Sequence, residues 1–588
     1  MSLLTDLSAV VGDAFEAIGL DRSYGEVVVS QRPELGQFQC NGALAAAKGA
    51  GRNPRQIAEE VVALVAAHPM VFKADIAGPG FVNLDVAEAE LRGRLDGLAG
   101  DERLGVPVVD TPRKVIVDYG GANVAKDLHV GHVRVALIGE SIKRLFGFLG
   151  HDVIGDVHLG DWGAPMGQLI AEMEDRFPHL AYFDPHHQGP YPVESPVTIE
   201  DLQEMYPVAS SKAKEDPEFG ARTRLATVEL QNGRPGYRAL WEQFRDVSIE
   251  ALRDVYDSLD VHFDLWLGEA SVHDRIAPMV ERMKAAGVAV ESDGAVVVHV
   301  QRDDDKREVP PLMLVNSRGG FTYATSDLAT IEERVTDMGV EEVVYVVDLR
   351  QSLHFEQVFR AAYLAGIAGP DVILDHSGNG TVNGPDGRPF KTRQGGLPRL
   401  RETIAEAIER ARARLDESEI AVGYSEAERA EIARRVGLAA LKYGDLSNHR
   451  ASDYSFDLER FTQLQGKTGP YIQYVTARAA SLLAKASERG WEPGSAVDPV
   501  SPAERQLILE LARLPEVIDR ALTARAPNHL AEYAFDLAGH FNRFYDACHV
   551  LTESDPLRQA SWLTLVDTTR RQLVLVLGLL GIEVPERM

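Results

Sequence analysis

Two histidines and a glycine, His129, Gly131 and His132, lie where a short apolar run gives way to a helical pattern. Composition alone predicts about 0.04 occurrences of this pattern in the chain. Two imidazoles at a helix start, with free backbone N–H groups and the positive end of the helix dipole, suit a phosphoryl group in transfer. Gly131 would let a nucleotide approach the backbone closely. The pattern predicts a phosphate site, and the alternative is two histidines that only cap a helix.

The elements around this motif form one recognisable unit. Residues 114–119 are a short β-rich run, apolar residues recur at helical spacing over 133–149, and residues 151–158 predict a second strand. The histidines fall in the loop at the carboxyl end of the first strand. Nucleotides bind at this edge of α/β sheets, so the predicted fold agrees with the predicted chemistry.

Two further groups of residues suit a charged substrate. Lys391 and Arg393 lie in a Gly-rich stretch and could neutralise charge developing on a triphosphate, unless the stretch is only a solvated basic turn. Tyr323 and Asp327 are four residues apart at a predicted helix start, so they share one side of it. A carboxylate, preferably in bidentate contact, and an aromatic ring suit a guanidinium group. An exposed helix pair is the alternative.

Composition sets the broad class of protein. A length of 588 residues implies three or four domains. The longest apolar run, 573–582, is too short to span a bilayer, and the first residues do not read as a secretory signal, so we expect a cytosolic protein. Cys40 and Cys548 are too far apart in sequence to indicate a disulfide or a metal site. The net charge of −28 gives no support to general nucleic-acid binding, so such a ligand needs local basic patches.

The pattern of elements predicts three domains. We expect a small α/β domain at residues 1–105, an α/β catalytic domain with a parallel sheet at 106–400, and an α-helical bundle at 401–588. Core periodicity weakens after residue 171, which predicts an insertion at about 171–290. We expect the second βαβ half of the sheet to use the β-rich runs at 295–300, 313–315 and 343–347.

A family resemblance becomes specific at these residues. The run from Asn123 to His132 resembles the nucleotide-binding signature of class I aminoacyl-tRNA synthetases in its arginyl form, and the run from His158 to Gly163 continues the match. The segment 390–396 resembles the lysine-rich loop that closes over ATP in that class. Asp127 and Gln394 depart from the family pattern, which commonly has proline and serine there.

The resemblance implies a Rossmann-type catalytic domain that activates L-arginine with ATP and transfers it to the 3′ adenosine of tRNA(Arg). Asp118 falls where the family often has the longer glutamate. The residues implied to bind ATP are Lys126, His129, Gly131, His132 and Lys391, with Arg393 as a further catalytic cation. The residues implied to bind arginine are Asp118, Asn123, Tyr323, Asp327 and Gln357.

The resemblance also implies contacts with tRNA. The first domain resembles one that touches the D-loop, and the helical domain resembles an anticodon-binding domain, where Tyr454, Tyr471, Tyr474 and Met588 are candidate contacts. Core packing is the alternative for each tyrosine. We expect Mg²⁺ to arrive with ATP, and we expect no protein-bound metal, no membrane contact and a monomer. Two rival functions are a small-molecule nucleotidyltransferase and a non-catalytic synthetase relative.

Overall fold

The computed structural model describes residues 2–384, 386–388, 398–418 and 423–588. The first domain combines four helices with an antiparallel sheet of strand order β1-β2-β4-β3. Asn53 caps the third helix and Pro54 opens it, an arrangement suited to a helix start. The elements are α1 (Leu3–Ala17), β1 (Val27–Val29), β2 (Phe38–Cys40), α2 (Gly42–Ala50), α3 (Pro54–Val65), β3 (Val71–Ala77), β4 (Phe81–Val86) and α4 (Glu88–Gly100).

The middle of the chain alternates strands and helices. Its elements are β5 (Lys114–Asp118), α5 (Val130–Phe148), β6 (Asp152–Asp156), α6 (Ala164–Arg176), α7 (Ile199–Glu215), α8 (Pro217–Gln231), α9 (Pro235–Ser258), α10 (His273–Ala285), β7 (Ala289–Ser292), β8 (Ala295–Val298), β9 (Leu312–Val315), α11 (Tyr323–Glu332), β10 (Glu342–Tyr345), α12 (Ser352–Leu364), β11 (Ile373–His376) and β12 (Val382–Asn383). The predicted β-loop-α-β unit is confirmed as β5, α5 and β6.

A parallel sheet of strand order β11-β10-β5-β6 forms the centre of this region. The chain runs from β5 to β6 in one direction and then crosses to β10 on the other side of β5, so the strand order reverses between β5 and β10. The last residues of the four strands, Asp156, Asp118, Tyr345 and His376, are register partners in one row. This row is the carboxyl edge at a topological switch point, where open α/β sheets bind ligands.

The prediction of which strands form the second half of the parallel sheet is partly wrong. The predicted runs at 295–300 and 313–315 form β8 and β9, but β8 pairs with β7 and with β9 in a separate antiparallel sheet. The predicted run at 343–347 forms β10, which joins the parallel sheet as expected, and β11, which was not predicted, completes that sheet. Within 171–290, where core periodicity is weak, α7, α8 and α9 form a helical unit around a core that includes Leu202, Leu230 and Phe244.

The last third of the chain is helical, as predicted. Its elements are α13 (Leu400–Ser418), α14 (Glu426–Leu446), the short strand β13 (Tyr454–Ser455), α15 (Leu458–Phe461), α16 (Gly469–Ser487), α17 (Pro502–Leu511), α18 (Leu514–Thr523), α19 (Asn528–Ala547) and α20 (Pro556–Leu579). Strand β13 pairs in parallel with β12 and so joins the helical bundle to the catalytic region. In the part of the chain described here, no helix combines the length and apolar character needed to cross a membrane.

Candidate functional site

The two histidines of the predicted phosphate site cap α5 reciprocally. His129 is the N-cap residue, and its Nδ1 accepts a hydrogen bond from the Gly131 N–H at 3.1 Å. The Nδ1 of His132 accepts from the His129 N–H at 3.1 Å. The two ring centroids are 3.9 Å apart. Capping and ligand binding are therefore compatible, because capping uses only the Nδ1 atom of each ring.

The expectation of free backbone N–H groups at this turn is wrong. The His129 and Gly131 N–H groups donate to the imidazoles, the Val130 N–H donates to the Pro398 carbonyl at 3.2 Å, and the His132 N–H donates to the His129 carbonyl at 2.8 Å. Each of the four groups has an internal acceptor. Any phosphate contact at residues 129–132 must therefore come from the side chains.

Both imidazoles are neutral at pH 7. Burial lowers the pKa of His129, and burial together with the neighbouring His129 lowers the pKa of His132 to about 3. Because each Nδ1 accepts a hydrogen bond, each proton is on Nε2. The turn therefore presents two N–H donors in a fixed tautomer, a feature suited to charge that appears on a phosphoryl group during reaction.

Gly131 makes room for a histidine ring. A Cβ at this position would lie 2.9 Å from Cε1 and 3.0 Å from Nδ1 of His129. This glycine was expected to admit a nucleotide, whereas the group that a side chain here would meet within the protein is the His129 imidazole. The glycine thus allows His129 to fold back over the first turn of α5.

Residues just after the predicted lysine-rich loop pair with the histidine turn. The Leu400 N–H donates to the Leu128 carbonyl at 2.9 Å, and Arg399 Nε is 3.1 Å from Asp127 Oδ2. Asp127, which replaces the proline common in the family, therefore has an ion-pair partner in this chain. Lys391 and Arg393 lie outside the described residues.

Lys126 points toward the helical insertion. Its Nζ is 5.1 Å from the centroid of the Tyr206 ring in α7. Lys126 also lines a cavity of about 140 Å³ together with Arg399 and Arg401. The expected contact of Lys126 with ATP stays a prediction.

Asp118 ends β5 at the switch point and is bonded to a buried guanidinium. Arg334 Nη2 donates to Asp118 Oδ2 at 2.6 Å and to Asp156 Oδ2 at 2.7 Å, and its side chain is 1% exposed. Burial raises the pKa of Asp118 while the charge of Arg334 acts against that shift. His158 Nδ1 lies 3.6 Å from Asp156 Oδ2. Asp118 thus has one oxygen committed inside the protein.

This cluster resembles a metal site in spacing only. Ligand atoms of Asp118, Asp156 and His158 lie within 4.8 Å of one another. However, Arg334 already places its positive charge between the two carboxylates, where a cation would sit. The donor set therefore does not fit a resident metal ion.

Tyr323 and Asp327 lie on one side of the first turns of α11, as their spacing predicts. Tyr323 is 69% exposed. The ring of His354 lies 4.8 Å from the Tyr323 ring between centroids, and His354 Nε2 lies 2.6 Å from Asp327 Oδ2. Burial and the charges of Asp161 and Asp327 raise the pKa of Glu269, which places that carboxyl in the same acidic neighbourhood.

The carboxyl edge of the sheet is therefore strongly acidic. Asp118 and Asp327 both act electrostatically on Tyr345, so they flank the same strand end. The carboxylates are Asp118, Asp156, Asp161, Glu269 and Asp327, and the guanidinium groups that contact them are Arg334 and Arg245. The excess of negative charge suits a cationic ligand beside the neutral histidine donors.

Asn123 and Gln357 have different surroundings. Asn123 forms an isolated bridge with Gly160 at the carboxyl edge, and a Cβ on Gly160 would lie 2.4 Å from Asn123 Oδ1. Asn123 is therefore close to the acidic cluster. Gln357 Nε2 donates to the Pro310 carbonyl at 2.7 Å, which fixes the amide and leaves its Oε1 able to accept from an amino group.

The residues predicted to contact tRNA also differ in their surroundings. Tyr454 is 7% exposed, and its ring lies under the Arg134 guanidinium at 4.9 Å, so the prediction of base stacking at Tyr454 is not supported. The hydroxyl of the half-buried Tyr471 accepts from Asn542 Nδ2 at 2.9 Å. Tyr474 and Met588 instead line one pocket of about 190 Å³.

That pocket combines rings with positive charge. Arg478, Lys485 and Tyr545 line it beside Tyr474 and Met588. The Arg478 guanidinium lies 4.8 Å from the Tyr474 ring centroid. Aromatic faces beside cations are the chemistry that suits an unpaired base with its phosphate.

Several residues of the site were not predicted from the sequence. Arg334 lies in the π-helical turn Glu333–Asp337 that continues α11, three residues after the buried Ile331, so a charge in an apolar pattern was the available signal. Asp161 lies in the run His158–Gly163 of the family match, and His354 lies three residues before Gln357, but neither was predicted as a site residue. Glu269 has no signal in the sequence that we can identify.

Comparisons with known proteins agree along the whole chain. The family of class I (R) tRNA synthetase catalytic domains matches residues 98–458, the DALR anticodon binding domain matches 472–588, and the arginyl tRNA synthetase N terminal domain matches 2–86. The chain is 50% identical to the arginine–tRNA ligase of Hyphomonas neptunium and 46% identical to that of Alkaliphilus oremlandii, with 100% of each chain covered.

Solved structures show the same fold. The arginyl-tRNA synthetase of Plasmodium falciparum superposes with a TM-score of 0.83 at 24% identity, covering 100% of this chain and 99% of that one. The Thermus thermophilus arginyl-tRNA synthetase gives a TM-score of 0.80 at 24% identity, with both chains covered completely. The predicted fold class is confirmed.

Proposed function

The chain belongs to the arginyl-tRNA synthetase family, and we propose that it carries out that family's reaction with the acidic edge of its sheet and its histidine turn. The observation that carries the proposal is that both lie at the carboxyl end of β5, where Asp118 is the last residue of the strand and a Cβ on Gly121 would lie 4.0 Å from His132 Cδ2. A carboxylate-rich cluster with Tyr323 at its exposed side suits a cationic amino acid, and the neutral histidines suit a phosphoryl group.

Arginine would bind with its guanidinium group toward Asp118, Asp327 and Tyr323. Asn123, whose backbone pairs with Gly160 beyond the ends of β5 and β6, and Gln357, whose Nε2 donates to the Pro310 carbonyl while its Oε1 can accept, would receive the α-amino group. A guanidinium group offers directional hydrogen bonds that lysine lacks, so rejection of lysine would need no editing site.

The reaction would then proceed in two displacements. A carboxylate oxygen of arginine attacks the α-phosphorus of ATP, the bond to the bridging oxygen breaks, and pyrophosphate leaves. A ribose hydroxyl of the terminal tRNA adenosine next attacks the arginyl carbonyl carbon, and AMP leaves. The Nε2–H groups of His129 and His132 would stabilise charge on the α-phosphoryl oxygens, and Mg²⁺ would enter bound to ATP.

Other parts of the chain would hold the tRNA. The pocket around Tyr474, Arg478 and Met588 would receive an unpaired anticodon base. Lys391 and Arg393 would neutralise the charge of the leaving pyrophosphate. Residues 1–105 would contact the D-loop of the tRNA, and the domain boundaries would lie near residues 105 and 400. A cytosolic monomer also remains part of the proposal.

Arginine-dependent ATP–pyrophosphate exchange by the purified protein tests this function. The assay is run with and without tRNA, and with lysine in place of arginine as the control. Exchange that requires arginine supports the proposed site, and exchange with lysine alone contradicts it. Absence of exchange under every condition would favour a non-catalytic relative that only binds tRNA.

A further inference from the structure

His354 contacts both residues predicted to bind a guanidinium group. It lies in the first turn of α12, and its Nε2 is 2.6 Å from Asp327 Oδ2 in α11. Its ring centroid is 4.8 Å from that of Tyr323. The side chains of His354 and Asp327 are 14% and 28% exposed, so their contact is shielded from much of the solvent.

These contacts restrict two side chains that would otherwise be free to rotate. Tyr323 is the first residue of α11 and is 69% exposed, and exposed side chains change rotamer within nanoseconds. A neighbouring ring removes part of that freedom. Asp327 has Oδ2 committed to the imidazole, which leaves Oδ1 for a ligand.

We propose that His354 is a positioning residue for the amino-acid substrate, holding Asp327 and Tyr323 in the geometry that receives a guanidinium group. The inference rests on the proposed function and adds a residue to it. His354 acts through its two neighbours and does not itself contact the substrate. Pre-organisation of this kind lowers the entropic cost of binding.

The other predicted carboxylate is arranged in the same way. Asp118 has Oδ2 bonded to Arg334, just as Asp327 has Oδ2 bonded to His354. In each carboxylate the partner holds one oxygen in place, and the Oδ1 atom and the second lone pair of Oδ2 can still accept from a guanidinium group.

The test compares His354→Ala, His354→Gln and a matched control. His262→Ala removes another imidazole–carboxylate contact, the 2.9 Å contact between His262 Nε2 and Asp260 Oδ1, which lies outside the acidic cluster. Arginine binding is measured by calorimetry, and the KM values for arginine and ATP are measured in aminoacylation. We expect His354→Ala to weaken arginine binding by about 10-fold or more, the loss typical of a charge-assisted hydrogen bond.

Further readouts separate positioning from general structural damage. The KM for ATP should change by less than about twofold, and His354→Gln should recover part of the arginine affinity because its amide N–H can donate to Asp327. His262→Ala should bind arginine like the wild type. Unchanged arginine affinity in His354→Ala, or equal increases of both KM values, would overturn the proposal.

Failure of the proposed function has a different signature. In that case the wild-type protein itself would neither bind arginine in the calorimeter nor aminoacylate tRNA. A wild-type protein that binds and transfers arginine while His354→Ala does so equally well contradicts only the role of His354.

Discussion

Replacing Gly131 with alanine tests whether the histidine turn acts through the position of its imidazole. The new methyl group would lie 2.9 Å from Cε1 and 3.0 Å from Nδ1 of His129, well inside the roughly 3.5–4.0 Å of a normal carbon contact. The ring must therefore move by about 0.5 Å or more. Its hydrogen bond from the residue 131 N–H weakens as it moves.

The effects on stability and on activity should differ. Alanine favours a helix over glycine by about 1 kcal/mol, and loss of the cap bond costs about 1 kcal/mol, so the two nearly cancel in the free energy of unfolding. Removing a group that donates a hydrogen bond to the transition state lowers kcat by a factor of about 10²–10³. A displaced donor keeps part of its effect, so we expect kcat to fall by about 10–100-fold.

The assay is ATP–pyrophosphate exchange with arginine and tRNA, measured for Gly131→Ala, His129→Ser and the double variant. Serine is a good N-cap residue, so His129→Ser keeps the cap and removes the ring. In that background the methyl group meets no imidazole, and Gly131→Ala should cause no further loss of kcat. If Gly131→Ala lowers kcat by the same factor in the His129→Ser background, the methyl group obstructs the nucleotide, and displacement of the His129 ring is not the cause of the loss. Wild-type activity in Gly131→Ala alone would refute it as well.

Three other predictions concern base contact, domain attachment and pH. Tyr474→Ala should weaken tRNA binding by about 5–100-fold at fixed salt, as loss of a stacked base does, whereas Tyr454→Phe should leave the dissociation constant unchanged because that ring is buried. Arg134→Met should lower the free energy of unfolding by about 1–3 kcal/mol, since it removes the hydrogen bonds that Arg134 Nη2 donates at 2.8–3.0 Å to the carbonyls of His449, Arg450 and Ser452. The first two carbonyls keep a backbone donor, from Ser452 and Gly380, whereas the Ser452 carbonyl loses its donor among the described residues; an unchanged thermal midpoint would contradict this. The pKa of His132 is about 3 in the folded protein against 6.5 ordinarily, so unfolding takes up a proton as the pH falls from 6.5 toward 3. In urea titrations at pH 7 and pH 5, the free energy of unfolding of the wild type should fall by up to about 1.4 kcal/mol per pH unit more than that of His132→Asn. Equal decreases in the two proteins would show that the pKa of His132 is not lowered in the folded state.

Several features of this protein follow from the sequence because they depend on neighbours along the chain. The histidine pair is three residues apart and caps its own helix, and Tyr323 and Asp327 share a side because helical geometry places i and i+4 together. The strands β5 and β6 follow from local apolar runs. For such features the spacing alone fixes the geometry once the element forms.

Strand pairing was decided by the tertiary structure. The runs that form β8 and β9 have the same β-rich composition as β10, yet they pair in a different sheet. Composition indicates that a segment is extended, but it does not indicate which edge the segment joins. The path of the chain between strands settles that, and here the insertion and α10 carry the chain away from the parallel sheet.

The partners of the charged side chains were also decided by the fold. Arg334 meets Asp118 across 216 positions, His354 meets Asp327 across 27, and Arg134 meets the loop at 449–452 across more than 300. Burial of Tyr454 follows from that last contact. A side chain's type shows what it can bind, whereas contacts between distant positions exist only after the core has formed. The sequence therefore determined the chemistry available to this protein, and the packing of its elements determined which groups remain free to perform it.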